Sequence, residues 1–168
     1  MKPAFDVSGI KEYIAYDPGG HTGFAKCKVH LNEGLLEITE VGEFPIWHNI
    51  ESQLARRDND SFVVVYESFH LRMVEANLVP VEVIGVIKFL TDKKSILRYP
   101  QKPADRKSIE KIYPDLMNVI TSHGADAVKH AVYFAMFTIK IKNLKVKING
   151  NKKQKINNGK VYAPRPLW

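Results

Sequence analysis

Two short apolar runs, Tyr13-Ile14-Ala15-Tyr16 and Phe62-Val63-Val64-Val65-Tyr66, each stop at a single acid, Asp17 and Glu67. Runs of this length, rich in aromatic and β-branched residues, read as buried strands rather than helices. Pro18, Gly19 and Gly20 cannot continue the first strand, so Asp17 is delivered at its tip. Ligand sites in open α/β sheets lie at such carboxyl ends. If the second strand pairs with the first, Asp17 and Glu67 stand side by side at one sheet edge. A carboxylate beside bare glycine backbone suits a metal ion or the close approach of a phosphate. The same residues also suit a plain hairpin whose aspartate starts the turn, and the motif alone does not choose.

Length and charge narrow the partners. A chain of 168 residues is enough for one domain with a real core. Its single cysteine, Cys27, forms no intramolecular disulfide, and the expected compartment is a reducing interior, the cytoplasm. No apolar stretch reaches the roughly 18 residues of a membrane span. Residues 127–168 hold nine lysines, one arginine and no acid, whereas residues 1–126 hold 15 basic and 18 acidic side chains. A mildly acidic body joined to a basic end suits a metal-binding core that approaches a polyanion; a solubilising tail is the bland alternative.

Along the chain, residues 12–17, 24–30 and 35–44 read as an antiparallel meander. Pro45 can open a helix, with Ile46, Trp47, Ile50 and Leu54 at helical spacing through about residue 57. After the strand ending at Glu67 comes an irregular stretch, then a helix from Pro80 to about residue 90 and a strand over 95–99. A short helix is expected over 105–113, its charged start (Lys102, Asp105, Arg106, Lys107) facing solvent. The last strong helix starts at Ser122 or His123 and runs to about residue 140. His123 and Asp126, three apart, share one face of its first turn, and His130, four further on, can support Asp126 from behind. Beyond Asn143 the lysine-rich stretch reads either as a hairpin or as a segment ordered only by a partner.

Asp17, Glu67, His123 and Asp126 thus form a set of hard or borderline donors suited to Mg²⁺ or Mn²⁺. Two such ions about 3.5–4 Å apart can activate a water and stabilise the leaving oxygen in phosphodiester cleavage. With these residues in view, the chain resembles RuvC-type Holliday junction resolvases of the ribonuclease H-like nucleases, particularly the short ones of bacteriophages. The resemblance rests on Ile14-Ala15-Tyr16-Asp17-Pro18-Gly19-Gly20-His21-Thr22-Gly23, Val65-Tyr66-Glu67-Ser68-Phe69, Val81-Glu82-Val83-Ile84-Gly85-Val86-Ile87, Gln101-Lys102-Pro103 and His123-Gly124-Ala125-Asp126-Ala127. It covers about residues 12–140.

The resemblance implies an α/β fold with a central mixed five-stranded sheet, an antiparallel meander plus parallel strands, flanked by helices. It further implies a nuclease domain over 1–143 and a basic C-terminal extension over 144–168, for which the family offers no counterpart. Asp17, Glu67 and Asp126 become the acidic metal ligands of a two-ion Mg²⁺ centre in which Mn²⁺ can substitute. His123 stands where some members carry a fourth acid and others a histidine. Phe69 matches the aromatic placed near the junction branch point. Lys102, Arg106 and Lys107 are candidate phosphate contacts, and Lys145, Lys147, Lys152, Lys153 and Lys155 add candidate DNA affinity. The implied activity is structure-selective cleavage of four-way junctions by a homodimer, through either the helix at 80–90 or the one from His123. Two other functions use the same residues: an ATP-binding protein of the actin and hexokinase type, whose first phosphate loop also joins an acid to glycines and threonine, and a non-catalytic branched-DNA-binding module.

Overall fold

The computed structural model describes residues 6–55, 61–69, 78–117, 122–149 and 160–165. Its centre is β1 (Glu12–Asp17), flanked by β2 (His21–His30) and β4 (Phe62–Glu67). β4 runs parallel to β1 with Tyr16 opposite Tyr66, so Asp17 and Glu67 are neighbouring strand tips. β2 returns antiparallel, with Asp17 opposite Gly23, and β3 (Leu35–Pro45) completes the meander. β5 (Leu97–Gln101) joins β4 in parallel and places Gln101 opposite Glu67. Pro100 fits this strand because β5 is the edge of the sheet.

The sheet has seven strands among the described residues, not the five expected, in the order β5-β4-β1-β2-β3-β6-β7. The extra pair, β6 (Lys145–Ile148) and β7 (Val161–Tyr162), comes from the lysine-rich end of the chain. β6 adds in parallel to the free side of β3, and Val146 and Ile148 bury in the core while Lys145 and Lys147, alternating with them, point outward. Alternating side chains therefore decided this segment's fate more than its net charge.

Strand alternation divides the core in two. Tyr13, Ala15, Val63 and Val65 face α3 (Pro103–Ile112), α4 (Pro114–Met117) and α5 (Ser122–Tyr133); Ile14, Tyr16, Val64 and Tyr66 face α1 (Ile50–Leu54) and α2 (Val79–Lys93). Tyr13 fastens α5 to the sheet by donating its buried hydroxyl to the Ala131 carbonyl at 2.7 Å. Beyond Tyr133 the helix widens to a π turn over Phe134–Thr138, which closes as Ile139 N–H donates to the Phe134 carbonyl at 2.9 Å. No helix among the described residues is long and apolar enough to cross a membrane.

The helix expected from Pro45 is much shorter. Pro45 ends β3, and Ile46 takes a positive φ of 48° that a β-branched residue rarely adopts. The Ile46 N–H donates to Gly20 at 3.0 Å, and the buried Thr22 hydroxyl donates to the Ile46 carbonyl. This clamp turns the chain, so that among the described residues of this segment only Ile50–Leu54 is helical, and Trp47 is exposed with its ring stacked on His48.

Candidate metal centre

The alternation that sorts the core also places the polar tips. Asp17 follows Tyr13 and Ala15 on the α5 side of the sheet, Glu67 follows Val63 and Val65, and Gln101 follows Tyr99, which packs against that same core. Three adjacent strands thus present carboxylate, carboxylate and carboxamide in a row beneath α5. From that helix His130 points down and is fully buried. One ligand atom from each of Asp17, Glu67 and His130 lies within 4.8 Å of the other two.

His130 is held from both sides. Its Nδ1 lies 2.9 Å from Gln101 Oε1, and Gln101 Nε2 donates back to the His130 carbonyl at 3.1 Å. The second bond fixes which end of the carboxamide accepts, so Nδ1 carries a proton. Nε2 then faces Glu67 Oε2 at 2.8 Å. A ring nitrogen tied to an oxygen acceptor is the tether a ligating histidine has; here the other ring nitrogen is taken up by Glu67.

Arg106 reaches in from α3. Its Nη1 lies 3.0 Å from Glu67 Oε2, 3.5 Å from Asp17 Oδ1 and 3.6 Å from Asp126 Oδ2. One guanidinium nitrogen therefore joins three carboxylates from two strands and a helix. Lys129 neutralises the outer side, 2.8 Å from Asp126 and 2.6 Å from Glu110.

These contacts act unequally on the acids. Burial, with Glu67 and Asp126 nearby, pushes the Asp17 carboxyl up to about 7, against the weaker opposing pull of His130 and Arg106. Burial also raises Glu67, but its hydrogen bond to His130 and the positive charge of His130 and Arg106 outweigh this and leave it below the ordinary glutamate value. The centre thus lacks positive charge mainly at Asp17.

Of the residues singled out in the sequence, Asp17, Glu67 and Asp126 come together around Arg106. Arg106 itself, expected to face solvent, is turned inward because three acids offer it what water would. His123, in the first turn of α5, stacks its ring on His21 with centroids 5.8 Å apart and is not part of the close trio. Phe69 is exposed just past Glu67, and Lys102 and Lys107 are exposed at the start of α3. Lys145 and Lys147 lie opposite Leu35 and Glu37, at the end of β3 far from the acid tips. Lys152, Lys153 and Lys155 lie outside the described residues. Nothing in the local sequence assigns a role to Gln101 or Lys129, although Gln101 stands at a strand tip beside Glu67. His130, expected behind Asp126, instead sets its ring against Glu67.

Gly19 and Gly20, in the loop after Asp17, are expected to leave room for a ligand, and a Cβ at Gly20 would meet nothing within 4 Å. Gly23, in β2, serves packing instead: a Cβ there would fall on the backbone carbonyl of His123. Gly23 lets α5 seat directly on β2, which brings Asp126 and His130 over the strand tips.

The donor set fits a hard or borderline divalent cation. Oxygens predominate, a single imidazole is correctly tethered, and a guanidinium already occupies the position of positive charge.

No protein-family model and no curated protein sequence matches the chain. Solved structures do. The Thermus thermophilus RuvC structure superposes with a TM-score of 0.60 at 15% identity, covering 76% of this chain and 95% of that one. T. thermophilus RuvC in complex with its Holliday junction substrate gives 0.60 at 16%, covering 76% and 94%. Fowlpox virus resolvase with substrate Holliday junction DNA gives 0.52 at 15%, covering 73% and 97%. The chain has the ribonuclease H-like fold of these resolvases.

Proposed function

We propose that the chain is a metal-dependent, structure-selective DNA endonuclease that resolves four-way junctions. The observation that carries this reading is the convergence of Asp17, Glu67 and Asp126 on one cation position at the carboxyl end of the sheet. The shared fold with resolvases solved on Holliday junction DNA supports the substrate class. Asp17, Glu67 and Asp126 would hold the ions, two of Mg²⁺ or Mn²⁺ per site, with His130 as nitrogen donor and His123 in the first turn of α5. Such ions supply an activated water and charge stabilisation of the leaving oxygen.

The remaining work falls to the chain's own groups. Gln101 keeps the His130 ring in one tautomer and one orientation. Phe69, exposed beside Glu67, offers a ring face to an unpaired base at a branch point. Lys102 and Lys107, at the same edge, suit backbone phosphates. The lysines of residues 144–168, a basic extension to the nuclease domain, add affinity that falls steeply with salt. Two matched nicks across a junction need two equivalent sites, hence a C2 homodimer. Exposed apolar side chains on α2, where Phe89 is 66% accessible, and on the edge strand β5, where Leu97 is exposed, suit a second copy.

Incubation with a synthetic four-way junction and Mg²⁺ tests the reading. Cleavage is expected from the wild type, and Asp17→Asn is expected to bind the junction without cutting it. Cutting by that variant at the wild-type rate refutes the metal role of Asp17.

A further inference from the structure

We infer that Arg106 is the built-in counter-cation of the carboxylate centre and that a divalent ion loads by displacing it. The inference rests on the metal-dependent reading above. Asp17, Glu67 and Asp126 come from β1, β4 and α5, and all three direct an oxygen at the same guanidinium nitrogen. Partly buried carboxylates this close repel one another and have lost water, so the arrangement calls for a cation among them. Arg106 supplies that cation, and it does so at the oxygens a metal ion would need. Glu67 Oε2 is already shared between Arg106 at 3.0 Å and His130 at 2.8 Å. Arginine and metal therefore exclude each other at Asp17 and Glu67.

The helix that carries Arg106 is built to allow the exchange. Asp105, its neighbour, accepts from the Lys102 N–H at 3.1 Å, and the Ser108 hydroxyl donates to the Asp105 carbonyl at 2.7 Å, so the first turn of α3 is anchored without Arg106. The Arg106 side chain remains 29% accessible, an open route outward along a long flexible stem. A guanidinium swung out to the rim beside Lys102 and Lys107 is placed for bidentate contact with a phosphate. Metal and DNA backbone then favour each other through one side chain: the ion expels the guanidinium, and the phosphate receives it. Such coupling is reciprocal.

The test is Mn²⁺ binding to the full chain without DNA, by calorimetry and by electron paramagnetic resonance of free Mn²⁺. Arg106→Gln is expected to bind Mn²⁺ about tenfold more tightly than wild type, since no cation must leave first, a change of one decade in Kd. Its melting temperature in chelator is expected to fall, and its gain on saturation with Mn²⁺ to exceed that of wild type. Lys111→Gln, which removes an exposed charge from the same helix, should change Kd less than twofold. Arg106→Lys keeps the charge but loses the fork and should fall between wild type and Arg106→Gln; it carries the test if the glutamine variant does not fold. An unchanged or weaker Mn²⁺ affinity in a folded Arg106 variant overturns the inference while leaving the nuclease reading intact. Absence of any saturable wild-type binding that Asp17→Asn removes would instead overturn the nuclease reading, and this inference with it.

Discussion

Replacing Asp17 by asparagine should stabilise the metal-free protein at alkaline pH, although a carboxylate is being removed from a hydrogen-bonded centre. The folded state holds the Asp17 proton up to about pH 7, while the ordinary aspartate value is 3.8. Its contribution to stability is therefore complete below the ordinary value and is lost as pH rises through about 7. Asparagine stands in for the permanently neutral form. A difference of roughly three pKa units at 1.36 kcal/mol each puts the variant on the order of 4 kcal/mol ahead above pH 7. Near pH 4.5 the same linkage leaves a lead of about 1 kcal/mol. For a chain of this size the larger figure is roughly 10 °C in melting temperature. Thermal melts of both proteins in chelator, from about pH 4.5 to 8.5, measure the difference directly, since groups common to both cancel. Saturating Mn²⁺ should then raise the wild type and leave the variant nearly unmoved. A lead that does not grow with pH, or a variant less stable than wild type at pH 8, refutes the reasoning, because either would mean the Asp17 charge is already fully compensated.

Gly23→Ala should cost several kcal/mol in chemical denaturation, because its Cβ meets the His123 backbone and α5 must lift off β2, whereas Gly20→Ala, with open space around it, should change stability by less than about 1 kcal/mol. Gln101→Leu leaves His130 Nδ1 without its acceptor and should cost about 1–3 kcal/mol, with Mn²⁺ affinity falling about tenfold or more in the same calorimetric titration. Phe69→Ala should leave the melting temperature unchanged but weaken binding to a four-way junction by about 1–3 kcal/mol in a gel-shift titration; equal affinity would remove Phe69 from the DNA surface.

Much of the fold could be read from local pattern. The runs ending at Asp17 and Glu67 are strands because contiguous apolar residues of that length have few other uses, and the meander follows from alternation and glycine turns. The pairing of β1 with β4 was open to inference because both runs are apolar on every side and so belong at the centre of a sheet. Their common α5-facing side also follows from a period of two once the two strands are in register. Where local pattern misled, a distant partner had intervened. Helical spacing after Pro45 lost to the Gly20 and Thr22 bonds that clamp Ile46, and Trp47 was left in solvent. The lysine-rich end, readable as a hairpin or as a segment ordered by a partner, pairs β6 with β7, and the open side of β3 takes up Lys145–Ile148, which extends the sheet to seven strands.

Asp17 and Glu67 were visible in the sequence because single acids that end buried apolar strands stand out, and Asp126 because it shares a helix face with His123. Their cations were not. Arg106 lies 89 residues from Asp17 and 39 from Glu67, and nothing local distinguishes it from the exposed lysines beside it. His130, by its spacing a support for Asp126, meets Glu67 instead, with its ring fixed by Gln101, 29 residues away. Sequence alone determined which residues carry negative charge to the edge of the sheet. Only the tertiary structure decided what balances that charge, because electrostatic partners are chosen by distance in space, and the spacing along the chain holds no record of it.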